Sequence, residues 1–503
     1  MTPKVSFLLA GDFHGKVPNT LSEKLSSCPI DACLCIGDLC EVDKIRQVFL
    51  SHLQELKQGE SVEDIFRLIP PEVHSSFAKG KICISAAIAC QTIYFGGRIA
   101  NAVIGFEHLK KLSRRSSSKI VLLVIDGVGG LPHPKTGKTE LESAKKPNLD
   151  QVAKESLCGL IDPIGPGITP GSAPGHLAIF GYDPLKYNVG RGIIEALGID
   201  LELKPGDIAA RGNFCTIDEK GTIIDRRAGR ISTEKNAELC QLLNKINVNG
   251  AELLVTPVKE HRFVLILRGE GLSPELADSD PQQVGLAPKK IESLSPEAQR
   301  TAEIVNEFAL QTKSQLRNEV SANMVLLRGF SQRPDIPSMT ELYKLKPAAI
   351  AIYPMYRGLA SLVGMEILPA GNSITEQLES LHHYYADYDF FFIHFKATDS
   401  RGEDGDFAAK ARAIEEVDGA LPQLLKLNPD VIVITGDHST PAAIAAHSWH
   451  PVPFMLHSKW CFPDNVAEFS ERACLEGGLG RFPAVEIMSL AMANALKLDK
   501  FAA

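Results

Sequence analysis

Three uninterrupted apolar runs, each followed by an aspartate, constrain the fold of this chain more than any other feature. They are KIVLLVIDG, FFFIHFKATD and DVIVITGDH, and they lead into Asp126, Asp399 and Asp437. Apolar runs without polar alternation are typical of parallel strands that are covered by helices on both faces. In such sheets the carboxyl ends of the strands form the active-site crevice. The sequence therefore predicts an α/β fold with one acidic pocket at an edge of its sheet.

The same pattern divides the chain into domains. A further run, AAIAIYP, and apolar positions every three or four residues from Phe407 onward indicate another strand and a helix that packs on the sheet. The pattern stops between residues 201 and 328, where shorter, more charged segments alternate with turn signals such as KPGD and RGEG. We therefore expect a catalytic core of residues 120–200 and 329–503, interrupted by an inserted α/β cap domain of residues 201–328.

The region before the core predicts a small α/β extension. Residues 1–111 contain two short apolar runs that end in carboxylates, VSFLLAGD and DACLCIGD. The following segment, LSRRSSSK, is polar and basic and lacks apolar periodicity. Residues 112–119 are thus expected to be a linker.

Composition excludes several classes of protein. The chain has 503 residues, of which 44% are hydrophobic and 23% charged, as in folded globular proteins. Its net charge of -8 gives no overall attraction to nucleic acid or to an anionic membrane. No run approaches the roughly 20 apolar residues of a membrane span, and the first run is too short for a signal peptide. We expect a cytoplasmic protein without nucleic-acid or membrane partners.

The cysteines suggest reduced thiols. There are eleven of them, an odd number without the regular spacing of a disulfide framework. Cys33, Cys35 and Cys40 raise the alternative of a zinc site, but they do not form a paired CxxC motif. We therefore favour buried structural thiols at these positions.

Seven residues of types that can bind metal ions follow the predicted strands or lie in nearby loops. They are Asp126, Ser172, Asp399, Glu403, Asp437, His438 and His447. Each alone could be a turn residue or a helix cap, but oxygen and imidazole ligands in this number suit two divalent cations. Asp399 and Glu403 are four residues apart, so both carboxylates would lie on one face of a helix. The set predicts a centre with two metal ions.

Ser172, within PGSAPGHLAIFGY, is the candidate nucleophile. A serine hydroxyl is weakly nucleophilic at neutral pH, and metal coordination activates it without a neighbouring general base. The sequence places Ser172 at the start of a helix, where backbone N–H groups help to hold a phosphoryl anion. The alternative is a serine in a tight loop with no chemical role.

From about Lys119 to the C-terminus, the chain resembles a known family. The resemblance lies in long motifs that include VLLVIDGVGG, GPGITPGSAPGHLAIFGYDP, GDIAARGNF, KATDSRGEDGDF, TGDHSTP and HSWHPVPF. They are similar to those of the archaeal-type, 2,3-bisphosphoglycerate-independent phosphoglycerate mutases of the alkaline phosphatase superfamily. The resemblance implies an alkaline-phosphatase-like, mostly parallel sheet with helices on both faces. It also implies a glycolytic and gluconeogenic enzyme that interconverts 3- and 2-phosphoglycerate through a phosphoserine, with two metal ions.

The resemblance also assigns roles to residues. One metal ion would be held by Asp126, Ser172, Asp437 and His438, and the other by Asp399, Glu403 and His447. Ser172 would accept the phosphoryl group. The cap residues expected to bind the anionic ends of the substrate are Arg211, Asn213, Arg226, Arg230 and Arg262, with Arg191, Arg328 and Arg357 as further candidates.

Glu403 departs from the family pattern, because many members have a histidine there. A carboxylate would make the centre harder and more anionic, which favours manganese or magnesium over cobalt or zinc. If Glu403 points to solvent instead, the second metal site is weakened.

The N-terminal extension has a resemblance of its own. Asp12, His14 and Asp38 resemble the opening half of a calcineurin-type metallophosphoesterase, but no Gly-Asn-His or Gly-His-x-His motif follows before the predicted linker. We therefore favour a truncated or repurposed domain with a role in oligomerisation, regulation or partner binding.

Two catalytic functions remain open at this point. The first is the mutase, with phosphoglycerate as its small-molecule substrate, in a chain that could form a homo-oligomer. The second is a related metal-dependent phosphotransferase or phosphohydrolase that acts on another small phosphorylated metabolite. The two would differ mainly in how well closure of the cap excludes water.

Overall fold

The computed structural model describes residues 105–187 and 189–501, together with the backbone of four short strands nearer the N-terminus. The chain divides into two compact units, Met1–Val103 and Ile104–Ala503. Among the described residues, none of the helices is long and apolar enough to cross a lipid bilayer.

Two strand pairs are described in the first unit. Strands β1 (Phe7–Ala10) and β2 (Ala32–Cys35) pair in parallel, and β3 (Tyr94–Phe95) pairs antiparallel with β4 (Arg98–Ile99). The first pair coincides with the runs VSFLLAGD and DACLCIGD. The predicted ligands of this unit lie outside the described residues, as do the side chains of its cysteines: Asp12, His14, Asp38, Cys33, Cys35 and Cys40.

The second unit alternates strands and helices. Its described strands are β5 (Ile120–Ile125), β6 (Leu157–Asp162), β7 (Ile208–Ile217), β8 (Ile223–Asp225), β9 (Glu252–Lys259), β10 (Arg262–Arg268), β11 (Met324–Gln332), β12 (Pro347–Ala351), β13 (Glu366–Ile367), β14 (Phe390–Phe395), β15 (Val431–Thr435), β16 (Val452–Ser458) and β17 (Gly480–Pro483). Its described α-helices are α1 (Phe106–Leu112), α2 (Glu140–Ser143), α3 (Pro147–Lys154), α4 (Ser172–Ile179), α5 (Arg191–Gly198), α6 (Thr233–Leu243), α7 (Gln299–Gln315), α8 (Met339–Tyr343), α9 (Pro354–Leu362), α10 (Ile374–Tyr384), α11 (Ala397–Glu403), α12 (Phe407–Leu425), α13 (Glu471–Leu475) and α14 (Ile487–Asn494).

The larger sheet is mostly parallel, as the apolar runs predict. Its eight strands lie in the order β13-β12-β14-β5-β15-β16-β6-β17, and only β16 runs antiparallel to its neighbours in this sheet. Every residue of β5, β14 and β15 is buried. Because β5 pairs in parallel with both β14 and β15, the carboxyl ends of the three strands lie side by side. The sheet therefore brings the residues that follow these strands to one edge.

The cap region forms a second, smaller sheet. Its strands lie in the order β11-β7-β10-β9, with β8 on β7, and every pairing is antiparallel. An apolar cluster that includes Phe263 and Phe308 joins one face of this sheet to helices α6 and α7. The boundary expected between residues 328 and 329 falls inside β11, because Ser331 and Gln332 continue to pair with β7.

The polar segment 112–119 is fixed to the C-terminal region of the second unit. Ser113 is buried and forms a β-bridge with Leu498. The backbone N–H of Arg114 donates to Lys497 O at 2.9 Å, and Lys497 Nζ donates to Ser116 O at 2.9 Å. The segment lacks apolar periodicity because its polar groups make hydrogen bonds to another part of the chain. It therefore belongs to the second unit, together with α1, and does not act there as a free linker.

Candidate active site

The three acidic strand ends converge as the sequence predicts. Asp126 follows β5, Asp437 follows β15, and Asp399 lies in the first turn of α11 after β14. All three residues have no exposed surface, and neither does His438. Parallel strands place their carboxyl ends at one edge, so residues that are far apart in sequence form one crevice.

Asp126, Asp437 and His438 form a first group that could hold a metal ion. His438 Nε2 lies 3.3 Å from Asp126 Oδ1 and 3.1 Å from Asp437 Oδ2. Both oxygens are buried and lack a well-aligned hydrogen bond within the described part of the chain. Buried carboxylate oxygens in this condition are costly unless a cation faces them. The donor set thus fits a divalent metal ion.

Asp399, His438 and His447 form a second such group. His447 Nε2 lies 3.5 Å from Asp399 Oδ1, and the His447 ring stacks on the His438 ring with 3.6 Å between centroids. His447 Nδ1 is 3.0 Å from Pro170 O, which can only accept a hydrogen bond. The Nδ1 atom therefore carries the proton, and Nε2 is left free to bind a cation.

Glu403 lies at the solvent side of the second group. The helix predicted to place Asp399 and Glu403 on one face is α11. The Glu403 carboxylate is 3.7 Å from His447 Nε2, while its side chain is 55% exposed. Glu403 thus faces the ligand set from its open side and is not enclosed with the buried ligands.

Ser172 begins helix α4, next to the first group. Its Oγ atom is 3.3 Å from His438 Nε2. His176, one turn later, has Nδ1 2.8 Å from Ser172 O and 3.1 Å from Asp437 Oδ2. A Cβ atom added to Gly175 would lie 2.4 Å from Asp437 O, so this helix packs directly on the loop that carries two of the predicted ligands.

Further residues of the site were not singled out by the sequence pattern. Lys396 Nζ donates to Asp126 Oδ2 at 3.1 Å and to Asp399 Oδ2. His394 Nε2 lies 2.9 Å from the same oxygen of Asp126. Lys396 and His394 both lie in FFFIHFKATD. The position of Lys396, three residues before the predicted ligand Asp399, is the feature of the sequence from which its role could have been predicted. These contacts leave the other oxygen of Asp126 for the first group.

The buried charges shift one another's pKa values. Burial and Asp437 oppose ionisation of Asp126, but Lys396 and His394 keep its pKa below the usual value. Burial also opposes ionisation of Asp437, and the nearby His438 and His176 hold its pKa well below the usual range. Burial alone would lower the pKa of His438, but its carboxylate neighbours raise it to about 9. Asp126 and Asp437 therefore stay ionised although they are buried, which favours a cation in the crevice.

Several of the predicted cap residues share one face of the smaller sheet. Arg211 and Asn213 are two residues apart on β7, Asn213 pairs with Arg262 on β10, and Arg211 pairs with Arg328 on β11. Residues paired across antiparallel strands project to the same face. Arg191, at the start of α5, also contributes positive charge beside Arg211.

A buried carboxylate lies within this arginine cluster. Glu195 on α5 pairs with Arg211, with 3.2 Å between Oε2 and Nε. Burial raises the pKa of Glu195, although the arginines oppose this rise. Burial lowers the pKa of Arg211 to about 10, and Glu195 partly offsets this effect. Four arginines act on this one carboxylate, so the cluster carries a net positive charge.

Three predicted arginines have other surroundings. Arg226 forms a bidentate ion pair with Asp280, with N···O distances of 3.0 and 2.7 Å. Arg357 donates to Asp200 at 2.8 Å. Arg230 is exposed in a turn, with a positive φ of 53°. Arg226 nevertheless adjoins the cluster, because Arg328 Nη1 lies 3.9 Å from the same oxygen of Asp280.

Comparison with known proteins assigns the family. Residues 153–321 match the model of the 2,3-bisphosphoglycerate-independent phosphoglycerate mutase family. A probable 2,3-bisphosphoglycerate-independent phosphoglycerate mutase from Aquifex aeolicus is 49% identical over 405 residues, which cover 78% of this chain and 99% of the relative. One from Thermotoga maritima is 50% identical over 399 residues, which cover 79% and 99%. The chain belongs to the 2,3-bisphosphoglycerate-independent phosphoglycerate mutase family.

Two solved structures are similar to this chain and support its place in this mutase family. The cofactor-independent phosphoglycerate mutase from Thermoplasma acidophilum is 31% identical with a TM-score of 0.59, covering 75% of this chain and all of that one. A protein from Pyrococcus horikoshii is 30% identical with a TM-score of 0.67, covering 78% and 100%. The family, the α/β fold and the enzyme class expected from the sequence are thus confirmed.

Proposed function

We propose that this mutase interconverts 3-phosphoglycerate and 2-phosphoglycerate through a phosphoserine at Ser172, without added 2,3-bisphosphoglycerate. The observation that carries the proposal is the position of Ser172 Oγ, 3.3 Å from His438 Nε2 at the edge of the ligand set. The nearly 50% identity to probable mutases over almost their whole length supports the same conclusion.

The ligand set is proposed to hold two divalent cations. Asp126, Asp437, His438 and Ser172 would hold one, and Asp399, His447 and Glu403 the other. Manganese or magnesium suits the carboxylate-rich set best, with cobalt or zinc as alternatives. When bound, such cations favour the ionised form of a serine hydroxyl and offset negative charge on a phosphoryl group.

Ser172 then acts as nucleophile and as phosphoryl carrier. Its Oγ attacks the phosphorus in line and loses its proton, while the bond from phosphorus to the substrate oxygen breaks and that oxygen takes up a proton. Glycerate next presents its other hydroxyl, which attacks phosphoserine and returns Ser172 to its starting form. The isomerisation consumes no water and releases no net proton.

The cap arginines orient a substrate with two anionic ends. Arg211, Arg262 and Asn213 project from one face of the cap sheet, and guanidinium groups bind carboxylate and phosphate with paired hydrogen bonds. The cap must also exclude water, because water would hydrolyse phosphoserine.

An enolase-coupled assay without added bisphosphoglycerate tests the proposal. We expect 2-phosphoglycerate to form, and phosphate to be trapped on Ser172 after acid quenching. Ser172→Ala should lower the rate by at least roughly 10³-fold. Ser373→Ala is the control, because Ser373 only caps α10. Phosphate release from another metabolite, with no 2-phosphoglycerate formed, would instead establish the phosphohydrolase.

A further inference from the structure

Lys410 is a lysine that the mechanism above does not use. It lies in the first turn of α12 and has no exposed surface. Its ammonium group donates to Gly129 O and to Thr440 O, both at 2.8 Å. A fully buried lysine loses its hydration, so it is retained only where its contacts compensate for that loss.

The two carbonyl groups belong to the two loops that carry the first ligand group. Gly129 follows Asp126 in the loop after β5, and Thr440 follows His438 in the loop after β15. The backbone also joins these loops, since Thr440 N–H donates to Gly129 O at 3.0 Å. Lys410 therefore connects the loops that must stay together for Asp126 and His438 to share a cation.

The buried Glu140 and the half-buried Glu471 complete this connection. Glu140 Oε1 accepts a hydrogen bond from Ala442 N–H at 2.7 Å, and Glu471 Oε1 accepts one from Gly130 N–H at 2.8 Å. Both carboxylates also interact electrostatically with Lys410. The positive group and the two negative groups thus make hydrogen bonds to the backbone of both loops.

Thr440 links this support to the ligands themselves. Its Oγ1 donates to Asp399 Oδ1 at 2.7 Å and lies 2.9 Å from His438 Nδ1. A hydroxyl has one proton, so if it is given to Asp399, His438 Nδ1 must be the donor to Thr440. The proton of neutral His438 is then on Nδ1, which leaves Nε2 free toward Asp126 and Asp437.

We infer that Lys410 is a positioning residue. Through Thr440, it fixes the position of the first metal-ligand group relative to the second. The inference rests on the proposed function in that it takes these groups to be the cation centre. Lys410 donates its hydrogen bonds to backbone oxygens of the loops, whereas Thr440 makes hydrogen bonds with Asp399 and His438.

Calorimetric titration with Mn²⁺ alone, without substrate, tests this role on the full chain. Lys410→Met keeps the length of the side chain and removes its charge and donors. We expect its affinity for Mn²⁺ to fall by about 10- to 100-fold, the usual effect of removing support behind metal ligands. The matched control is Lys497→Met, because Lys497 is equally buried and donates to Ser116 O and Asp389 at 2.9 and 3.0 Å. This control should unfold more easily yet bind Mn²⁺ like the wild type.

A second pair of variants keeps the test decisive if Lys410→Met does not fold. Thr440→Val removes the hydroxyl and keeps the carbonyl that Lys410 contacts, and it should also weaken Mn²⁺ binding. Thr440→Ser should restore the affinity. Wild-type Mn²⁺ affinity in either folded variant, Lys410→Met or Thr440→Val, would overturn the inference. Because Mn²⁺ binding is measured without turnover, a chain that binds Mn²⁺ but lacks mutase activity would contradict only the proposed function. A wild-type chain that binds no Mn²⁺ would contradict the inference itself.

Discussion

Glu403 has the most exposed side chain among the proposed metal ligands. It lies one helical turn after Asp399 and has its carboxylate 3.7 Å from His447 Nε2. A small movement of the side chain would bring an oxygen into the second group, and an anionic oxygen favours manganese and magnesium over zinc. We therefore expect substitutions of Glu403 to change the metal preference while the buried ligands stay unchanged.

Glu403→Gln should weaken Mn²⁺ binding by about tenfold, since it removes the negative charge and keeps the shape. Glu403→His should shift the preference toward zinc or cobalt, because imidazole is the softer ligand. Competition titrations between Mn²⁺ and Zn²⁺ measure both effects. Asp404→Asn is the control, because the neighbouring Asp404 pairs with Arg401. Equal Mn²⁺ affinities for Glu403→Gln and wild type would show that Glu403 is not a ligand.

Helix α4 controls the position of the nucleophile. It begins at Ser172, and Gly175 allows its next turn to approach the backbone of Asp437. Any side chain at residue 175 must push the helix and the loop apart. Glycine is therefore required at position 175, because helix α4 packs closely on the loop that carries Asp437 and His438.

Gly175→Ala should reduce mutase activity by roughly 100-fold, because a displacement of about 1 Å is enough to misalign a nucleophile. Gly419→Ala on α12 is the matched control, since a Cβ there meets no atom within 4 Å. The control should keep its activity and gain about 0.5 to 1 kcal/mol of stability. Initial rates and thermal unfolding of both variants measure the difference. Full activity of Gly175→Ala would contradict this account of α4.

A buried histidine next to strand β10 is expected to make the cap less stable in acid. His261 precedes this strand and is buried, and its Nδ1 atom has no hydrogen-bond partner among the described residues. Burial, together with Arg262, lowers the pKa of His261 from 6.5 to about 4. Between these values the unfolded chain binds a proton that the folded chain does not. Stability should therefore fall as the pH decreases from 6.5 toward 4.

His261→Phe should reduce this loss, which amounts to at most about 3 kcal/mol. Urea unfolding at about pH 7 and about pH 4.5 measures it. The exposed His108 offers a control, because His108→Phe should leave the difference between the two pH values unchanged. An unchanged pH effect in His261→Phe would assign the acid sensitivity to other groups.

At the scale of the whole second unit, the two sheets have separate tasks. The larger sheet assembles the proposed cation centre, and the smaller sheet presents arginines on one face. Part of that face packs on α5 and α9 through apolar residues such as Ile193 and Leu362. The arginine cluster lies on the same face as this apolar contact, and the unit thus combines the proposed cation site with the proposed anion site.

Arg211→Met should therefore raise the KM for phosphoglycerate by about 10- to 100-fold, because it removes a charge-assisted hydrogen bond. Its Mn²⁺ affinity should stay within about twofold of wild type, since Arg211 contacts none of the metal ligands. Arg268→Met is the control, because Arg268 on β10 is already paired with Asp207 at 2.8 Å. A large loss of Mn²⁺ affinity in Arg211→Met would show that the two tasks are not separable.

The sequence by itself determined four of the eight strands of the larger sheet, namely β5, β12, β14 and β15. It also determined the acidic residues that follow three of them, the helical spacing of Asp399 and Glu403, and Ser172 at a helix start. These features are local, because apolar periodicity and turn residues report on burial within a few neighbouring positions. The family resemblance added the expected roles of the cap arginines.

Only the tertiary structure decided which of these residues meet. Strand register places Arg211 beside Arg328, while Arg226 is paired with Asp280. Packing fixes segment 112–119 to the C-terminal region and brings Lys410 to Gly129, which lies 281 residues away in the chain. Such contacts leave no periodic signal, because they depend on how separate elements pack and not on the order of residues within one element.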